Sequence, residues 1–294
     1  MLGIRSMLLV TVGGLISTAV LQHAVPMDIA PPDRVDVPDS GVTLPMLDVG
    51  GRPMVDVSVN GQGPYPFILD TGASVTAISA DLIEKLALPL VSGTPLPAPA
   101  RVDELRVGGA VLHGLTVIPE PMIGSLGGAT PARGILSASY FPGSLVILNY
   151  PAKTVSIHKG ALPEPDNRRV FAYPADDILP TVPVTVAGHE FRPHVDTGSP
   201  GSLTLPIAAA DVVPLTEKPT EIGRARTPGG EFPVLAAKVS TPVTLGEYDL
   251  NLKELRFSDL RPGSRPAVGN MGYLVLRAFV ITLDSKNHRL KFER

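Results

Sequence analysis

The chain has no cysteine and no tryptophan, and only 5% of its 294 residues are aromatic. Without cysteine no disulfide can form, so any fold must be held by its apolar cores. The missing tryptophan leaves no aromatic platform for a sugar, which argues against a carbohydrate-cleaving site. Positive charge is not in excess either: 25 Lys and Arg stand against 28 Asp and Glu, a formal charge of -3, which is not the balance of a nucleic-acid binder. The six histidines show no metal-ligand spacing, and no metal or other cofactor is expected. His-Glu-x-x-His, the Gly-x-Ser-x-Gly elbow and the phosphate-binding glycine loop are all missing. Ser156 and Lys159 match a Ser-x-x-Lys spacing, but the serine ends a predicted strand where that chemistry needs the start of a helix.

What is present is 44% apolar residues with 32 prolines and 29 glycines, scattered between short Val, Leu, Ile and Thr runs. That is the texture of a turn-rich all-β protein. The length accommodates two modest domains. Arg5 followed by the apolar run Met7 to Leu21 resembles a secretory signal, with an N-terminal anchor as the alternative for residues 1–21, so export to the periplasm or the exterior and possible membrane attachment are expected. Residues 22–40, rich in Pro and Asp, read as a linker.

Three anchors recur in the same order. Met54 to Gly61 and then Phe67-Ile68-Leu69-Asp70-Thr71-Gly72 is matched by Thr181 to Gly188 and then Val195-Asp196-Thr197-Gly198. Leu105-Arg106-Val107-Gly108 is matched by Val243-Thr244-Leu245-Gly246. Gly134 through Ile157 aligns without a gap on Gly269 through Phe292, at an offset of 135 residues. Each anchor reads as hairpins of alternating strands. Short helices are expected from Ala80 to Leu86 with Ser79 as N-cap, and from Ile207 to Val212 behind Pro206. The repeat divides the chain into lobes 41–157 and 178–294, joined by a linker 158–177.

A single Asp-Thr-Gly is usually a surface turn. Two copies, each after an apolar strand and each at the same place in a repeat, are not. At these residues the chain resembles the retropepsin and pepsin clan of aspartic proteases, in its single-chain, two-lobed, bacterial form. The resemblance implies two similar β-barrel lobes related by a pseudo-twofold axis, with short helices, and an aspartic endopeptidase acting on extended polypeptide held between them. It also implies a monomer, because both halves lie in one chain. The catalytic pair would be Asp70 and Asp196. Carboxylates at the ends of symmetry-related strands can approach closely if Gly72 and Gly198 present no side chain. Two so close cannot both ionise readily, so one proton is shared and the pair holds an acid and a base together. The resemblance gives Thr71 and Thr197 a hydrogen-bonding role across the axis. Satisfying the amides of their own turns is the alternative. Ser199 completes the second loop.

Departures from the family pattern are Pro200, where the second loop reads Ser199-Pro200-Gly201, and Ser137, where a glycine is usual. A flap hairpin is expected at Thr227-Pro228-Gly229-Gly230-Glu231, with the proline-rich Ser92 to Arg101 as its irregular counterpart; Gly229 and Gly230 are candidate groove residues or an ordinary turn. Ile68 and His194, two residues before each aspartate, share its strand face and are expected to line the substrate groove, unless Pro193 turns His194 to solvent. A peptide-binding protein that keeps the cleft without turnover is the rival reading.

Overall fold

Val55, Val57 and Val59 are buried while Asp56 is exposed and Ser58 half-buried between them, so Pro53–Val59 shows the period-two burial of a strand with one face on a core. The same logic runs through the chain, and the computed structural model is mostly β with two short α-helices, Ala80–Lys85 and Tyr273–Leu276. It describes residues 29–92, 97–126, 128, 130–177, 179–227, 230–259 and 268–294. The expected signal segment 1–21 and Gly229 lie outside the described residues. Among those residues no helix is long and apolar enough to cross a membrane.

In the first lobe Ala110–Pro119, Ala77–Ile78, Gly134–Ser137, Gln62–Asp70 and Pro53–Val59 are successive neighbours, and Ala100–Val107 pairs with both ends of that series to close a ring. Gln62–Asp70 runs parallel to Gly134–Ser137, with Asp70 opposite Ser137. Here the linker expected at 22–40 needs correction. Arg34–Asp36 is a strand antiparallel to Ala110–Pro119, held by half-buried Val35 and buried Val37 against the core, two apolar residues that the surrounding Pro and Asp obscured. The linker at 158–177 is likewise shorter than expected: His158 and Lys159 finish the strand Thr154–Lys159, and Val170–Ala172 pairs with Arg289–Glu293 because Val170 and Phe171 are buried there.

The two lobes share a six-stranded sheet, in the order Val170–Ala172, Arg289–Glu293, Val280–Asp284, Ser144–Asn149, Thr154–Lys159, Val42–Pro45. At its centre Ser144–Asn149 meets its own repeat, Val280–Asp284, antiparallel. Ile147 lies opposite Thr282, its mate in the repeat, so a pseudo-twofold axis passes through that pair. The buried carboxylate of Asp284 accepts from the Leu162 amide at 2.9 Å and the Asn287 side-chain amide at 2.8 Å, which ties the interlobe segment to the sheet.

The second lobe uses the same strand succession but breaks the long strands. Val184–Val186 and His189–Phe191 belong to one four-stranded sheet, while His194–Val195 belongs to another of six strands, the break falling at Arg192-Pro193. The helix Ala80–Lys85 has Ser79 at its N-cap position without a side-chain capping bond; the Ser79 carbonyl accepts from the Leu82 and Ile83 amides instead. Ile207–Asp211 is a 3-10 turn.

Candidate active site

Each aspartate is delivered by a strand and stopped by a glycine turn. Asp70 is the last residue of Gln62–Asp70. Asp196 follows His194–Val195, which is parallel to Asn270–Met271, and its amide donates to the Met271 carbonyl at 3.0 Å. The two turns interlock through their threonines. Thr71 Oγ1 donates to the Val195 carbonyl at 2.5 Å and accepts from the Thr197 amide at 3.2 Å. Thr197 Oγ1 donates to the Leu69 carbonyl at 2.7 Å and accepts from the Thr71 amide at 3.0 Å. Thr71 and Thr197 therefore bond across the axis, with both hydroxyls buried where an unmet polar group would be costly.

Asp70 and Asp196 meet at Gly72. A Cβ on Gly72 would lie 2.6 Å from Asp196 Cγ and 3.1 Å from Asp70 Oδ1, closer than a side chain tolerates, so glycine is the residue that permits the approach. Asp70 Oδ1 accepts from the Gly72 amide at 2.7 Å and from the Gly198 amide at 3.2 Å, one donor from each lobe, an arrangement that favours negative charge. Asp196 is different. Burial pushes its carboxyl up to about 6. Asn270, the Ser199 and Gly198 amides and the Arg52 guanidinium act the other way; the first three lie near the carboxylate without hydrogen-bond geometry to it. The carboxyl groups are closed to solvent, at 0% exposed for Asp70 and 1% for Asp196.

The loop residues that depart from the family pattern prove well accommodated. Ser137 Oγ donates to the Ala73 carbonyl at 2.7 Å and its amide donates to Thr76 Oγ1 at 3.2 Å, pinning the first Asp-Thr-Gly turn. In the second lobe Gly272 occupies the matching position, and the Tyr273 and Leu274 amides donate directly to the Ser199 and Gly201 carbonyls at 2.8 and 2.9 Å. Pro200 lacks an amide hydrogen, and these bonds do not require one from it. Ser199 is buried, and its hydroxyl accepts from the Gly201 amide at 3.3 Å.

The groove expectations fare unevenly. Ile68 does not line an open groove. It is fully buried with Met54, Ile135, Ile123 and Leu126 in an apolar cluster of the first lobe, because the segment after Pro119 covers that strand face. His194 is half-buried. Gly230 begins the strand Gly230–Lys238, opposite Thr227, so the long hairpin Thr220–Thr227 with Gly230–Lys238 is present around the undescribed tip. Its counterpart in the first lobe is short: Leu90 bridges Ala100, and the Val91 and Arg101 amides donate to the Pro99 and Pro89 carbonyls.

Four residues near the pair escaped sequence reasoning: Arg52, Tyr150, Asn270 and Tyr273. Two carried a signal. Asn270 stands where the repeat has Ile135, and Arg52-Pro53 stands where it has Leu179-Pro180. Tyr150 is buried, and its phenol is pushed well above its ordinary value by burial, with smaller contributions from Asp48, Asp70 and Asp196. Tyr273 donates its hydroxyl to Asp48. Among the described residues no His, Asp or Glu cluster is arranged to hold a metal ion.

Two all-β lobes that exchange threonine hydrogen bonds between paired Asp-Thr-Gly turns have a retropepsin-like fold. The family model described as aspartyl protease matches residues 55–140, from within the strand Pro53–Val59 through the turn after Ser137. Over that segment the chain is similar to the retropepsin-like aspartyl proteases; the kinship of the second lobe rests on the internal repeat. Among curated proteins none matches the chain.

Proposed function

We propose that the protein is an aspartic endopeptidase that hydrolyses peptide bonds with a water activated by Asp70 and Asp196. One observation carries this reading: both carboxyl groups press on the same side-chain-free point at Gly72 while their surroundings differ. Burial favours the neutral form of Asp196, and two amides favour charge on Asp70. In weakly acidic solution the pair then holds one proton. The ionised member takes a proton from water as the water oxygen attacks the peptide carbonyl carbon, and the protonated member gives its proton to the carbonyl oxygen. Collapse of the tetrahedral diol breaks the C–N bond, and the departing amine takes up a proton. No covalent intermediate is needed. The polypeptide would bind in extended form between the lobes, under the hairpin Thr220–Thr227 and Gly230–Lys238. We further infer an exported monomer, from the apolar run at residues 7–21 and from the presence of both half-sites in one chain.

A peptide-binding protein without turnover is the second reading, favoured by the burial of both carboxyl groups, since substrate and water reach them only if the cover moves. Incubating the protein with a denatured protein mixture from acidic to neutral pH, with and without a pepstatin-type inhibitor, separates the two. Inhibitor-sensitive cleavage that disappears in Asp70→Asn and in Asp196→Asn supports the endopeptidase. Inhibitor binding with no cleavage at any pH supports the binding protein.

A further inference from the structure

A buried arginine stands on a hairpin packed against the second Asp-Thr-Gly loop, its Nη1 donating to the Gly50 carbonyl at 3.4 Å. Arg52 is 6% exposed and sits at the end of a tight turn, in which the Val49 and Arg52 amides each donate to the other residue's carbonyl, at 3.0 and 3.2 Å. Gly50 and Gly51 make that turn possible with φ of 61° and 76°, a region that side chains avoid. The turn is wedged between the lobes. On one side Val49 packs on the cluster around Ile68. On the other, a Cβ at Gly51 would fall 3.0 Å from the Tyr273 ring and 3.2 Å from the Pro200 side chain, so the backbone here lies directly against the second catalytic loop. The hydrogen bond from Tyr273 to Asp48 fastens the same hairpin.

The internal repeat makes this arginine informative. At the matching place in the second lobe, Leu179 precedes Pro180 and is buried at 2% exposed. An aliphatic side chain therefore suffices for packing at this point of the fold. Burying a guanidinium instead costs several kcal/mol unless nearby negative charge compensates. Here that charge comes from the pair: Asp196 first and Asp70 second attract the guanidinium and oppose the effect of its burial. Arginine stays protonated in such a setting, so the positive charge is permanent at any pH at which the aspartates titrate.

We propose that Arg52 is a positioning residue that sets the proton count of the Asp70 and Asp196 pair, holding it in the singly protonated form down to lower pH than burial alone would allow. This rests on the reading of the pair as an acid–base couple. The other titratable and charged groups around it are Asp48 and Tyr273 on the hairpin contact, Arg277 over the Tyr273 ring at 5.9 Å, Tyr150 beneath the pair and His194 upstream of Asp196. Of these, burial holds the Tyr150 phenol protonated, and the bond to Asp48 does the same for Tyr273.

The test compares wild type with Arg52→Gln and Arg52→Lys by two readouts. The first is the carboxyl ¹³C titration of Asp196, assigned through Asp196→Asn, and the second is the pH profile of kcat/KM on a denatured protein. In Arg52→Gln both the Asp196 titration and the acid limb of the profile move up by about one pH unit. Arg52→Lys restores the wild-type position even if it lowers the melting temperature. A titration in Arg52→Gln that superimposes on wild type, with the fold intact by thermal melting, overturns the proposal. If Arg52→Gln itself fails to fold, a titration in Arg52→Lys displaced upward by as much as one unit overturns it, and one unchanged from wild type supports it. A chain that cleaves nothing but shows the shifted titration keeps the role of Arg52 and removes the endopeptidase reading instead.

Discussion

The two lobes hold their Asp-Thr-Gly turns in nearly the same way and differ in almost everything around them. In the first, the strands Ala100–Val107 and Ala110–Pro119 are long and close a ring. In the second, their counterparts are broken near Pro242 and Asn251, and that of Gln62–Asp70 near Pro193, into two separate sheets. Ser137 pins one Asp-Thr-Gly turn through its hydroxyl, whereas Gly272 lets the other be pinned by backbone amides. Arg52 stands where the other lobe has Leu179, and the long hairpin of the second lobe corresponds to a short ribbon in the first. The constraint therefore lies in a small kernel: the threonine exchange, the parallel pairing beneath each aspartate and the central sheet around Ile147 and Thr282. Outside it, each half meets the same requirement by different local means.

The largest expected effect probes whether the halves are equal where the chemistry is. Asp70→Asn and Asp196→Asn should each reduce proteolysis by roughly a thousand-fold or more, because members of a working pair fail together. If one variant kept near wild-type turnover, the paired kernel would be the wrong description. The next effect separates the two aspartates. Burial raises Asp196 above its unfolded value of 3.8 to about 6, so the folded protein binds more protons than the unfolded one between those values, and stability must fall as pH rises through that window. A two-unit difference corresponds to about 3 kcal/mol at most. Thermal melts of wild type should lose that stability between about pH 4 and 6, and Asp196→Asn should not. Equal slopes in both proteins would show that Asp196 carries no extra proton.

A smaller effect tests symmetry directly. Thr71→Val and Thr197→Val each remove one donated and one accepted bond to the opposite lobe, and each should destabilise by about 2 kcal/mol. Chemical denaturation that finds one threonine dispensable would make the axis a feature of one lobe. The smallest effects concern the exchangeable surroundings. Gly272→Ser, which installs the first lobe's residue in the second, puts a Cβ 2.8 Å from the Ser199 and Gly201 carbonyl oxygens and should lower stability by about 1–2 kcal/mol. Ser137→Ala loses the bond to Ala73 and should lower it by about 1 kcal/mol. Tolerance of Gly272→Ser without a change in melting temperature would mean that the second turn has more room than its backbone contacts indicate.

Much of this was legible along the chain. Alternating valines, turn glycines and a gapless repeat determine strands, lobes and the pairing of Asp70 with Asp196 as candidates, because strand periodicity and glycine turns are local properties. The ends of the lobes were not legible. Val35 and Phe171 lie in stretches whose Pro and charge suggest linkers, and only the partners they bury against, in Ala110–Pro119 and Arg289–Glu293, turn those stretches into strands. Ile68 was expected on the groove, yet its strand face is covered by a segment some fifty residues away, from Ile123 to Leu126. The sequence by itself determined which residues could form two matching turns. Tertiary structure alone decided how the two carboxyl groups come together at Gly72, that burial raises Asp196, and that an arginine from an upstream hairpin is buried against the second loop. Those quantities depend on distance and on exclusion of water, and neither is a property of any single segment.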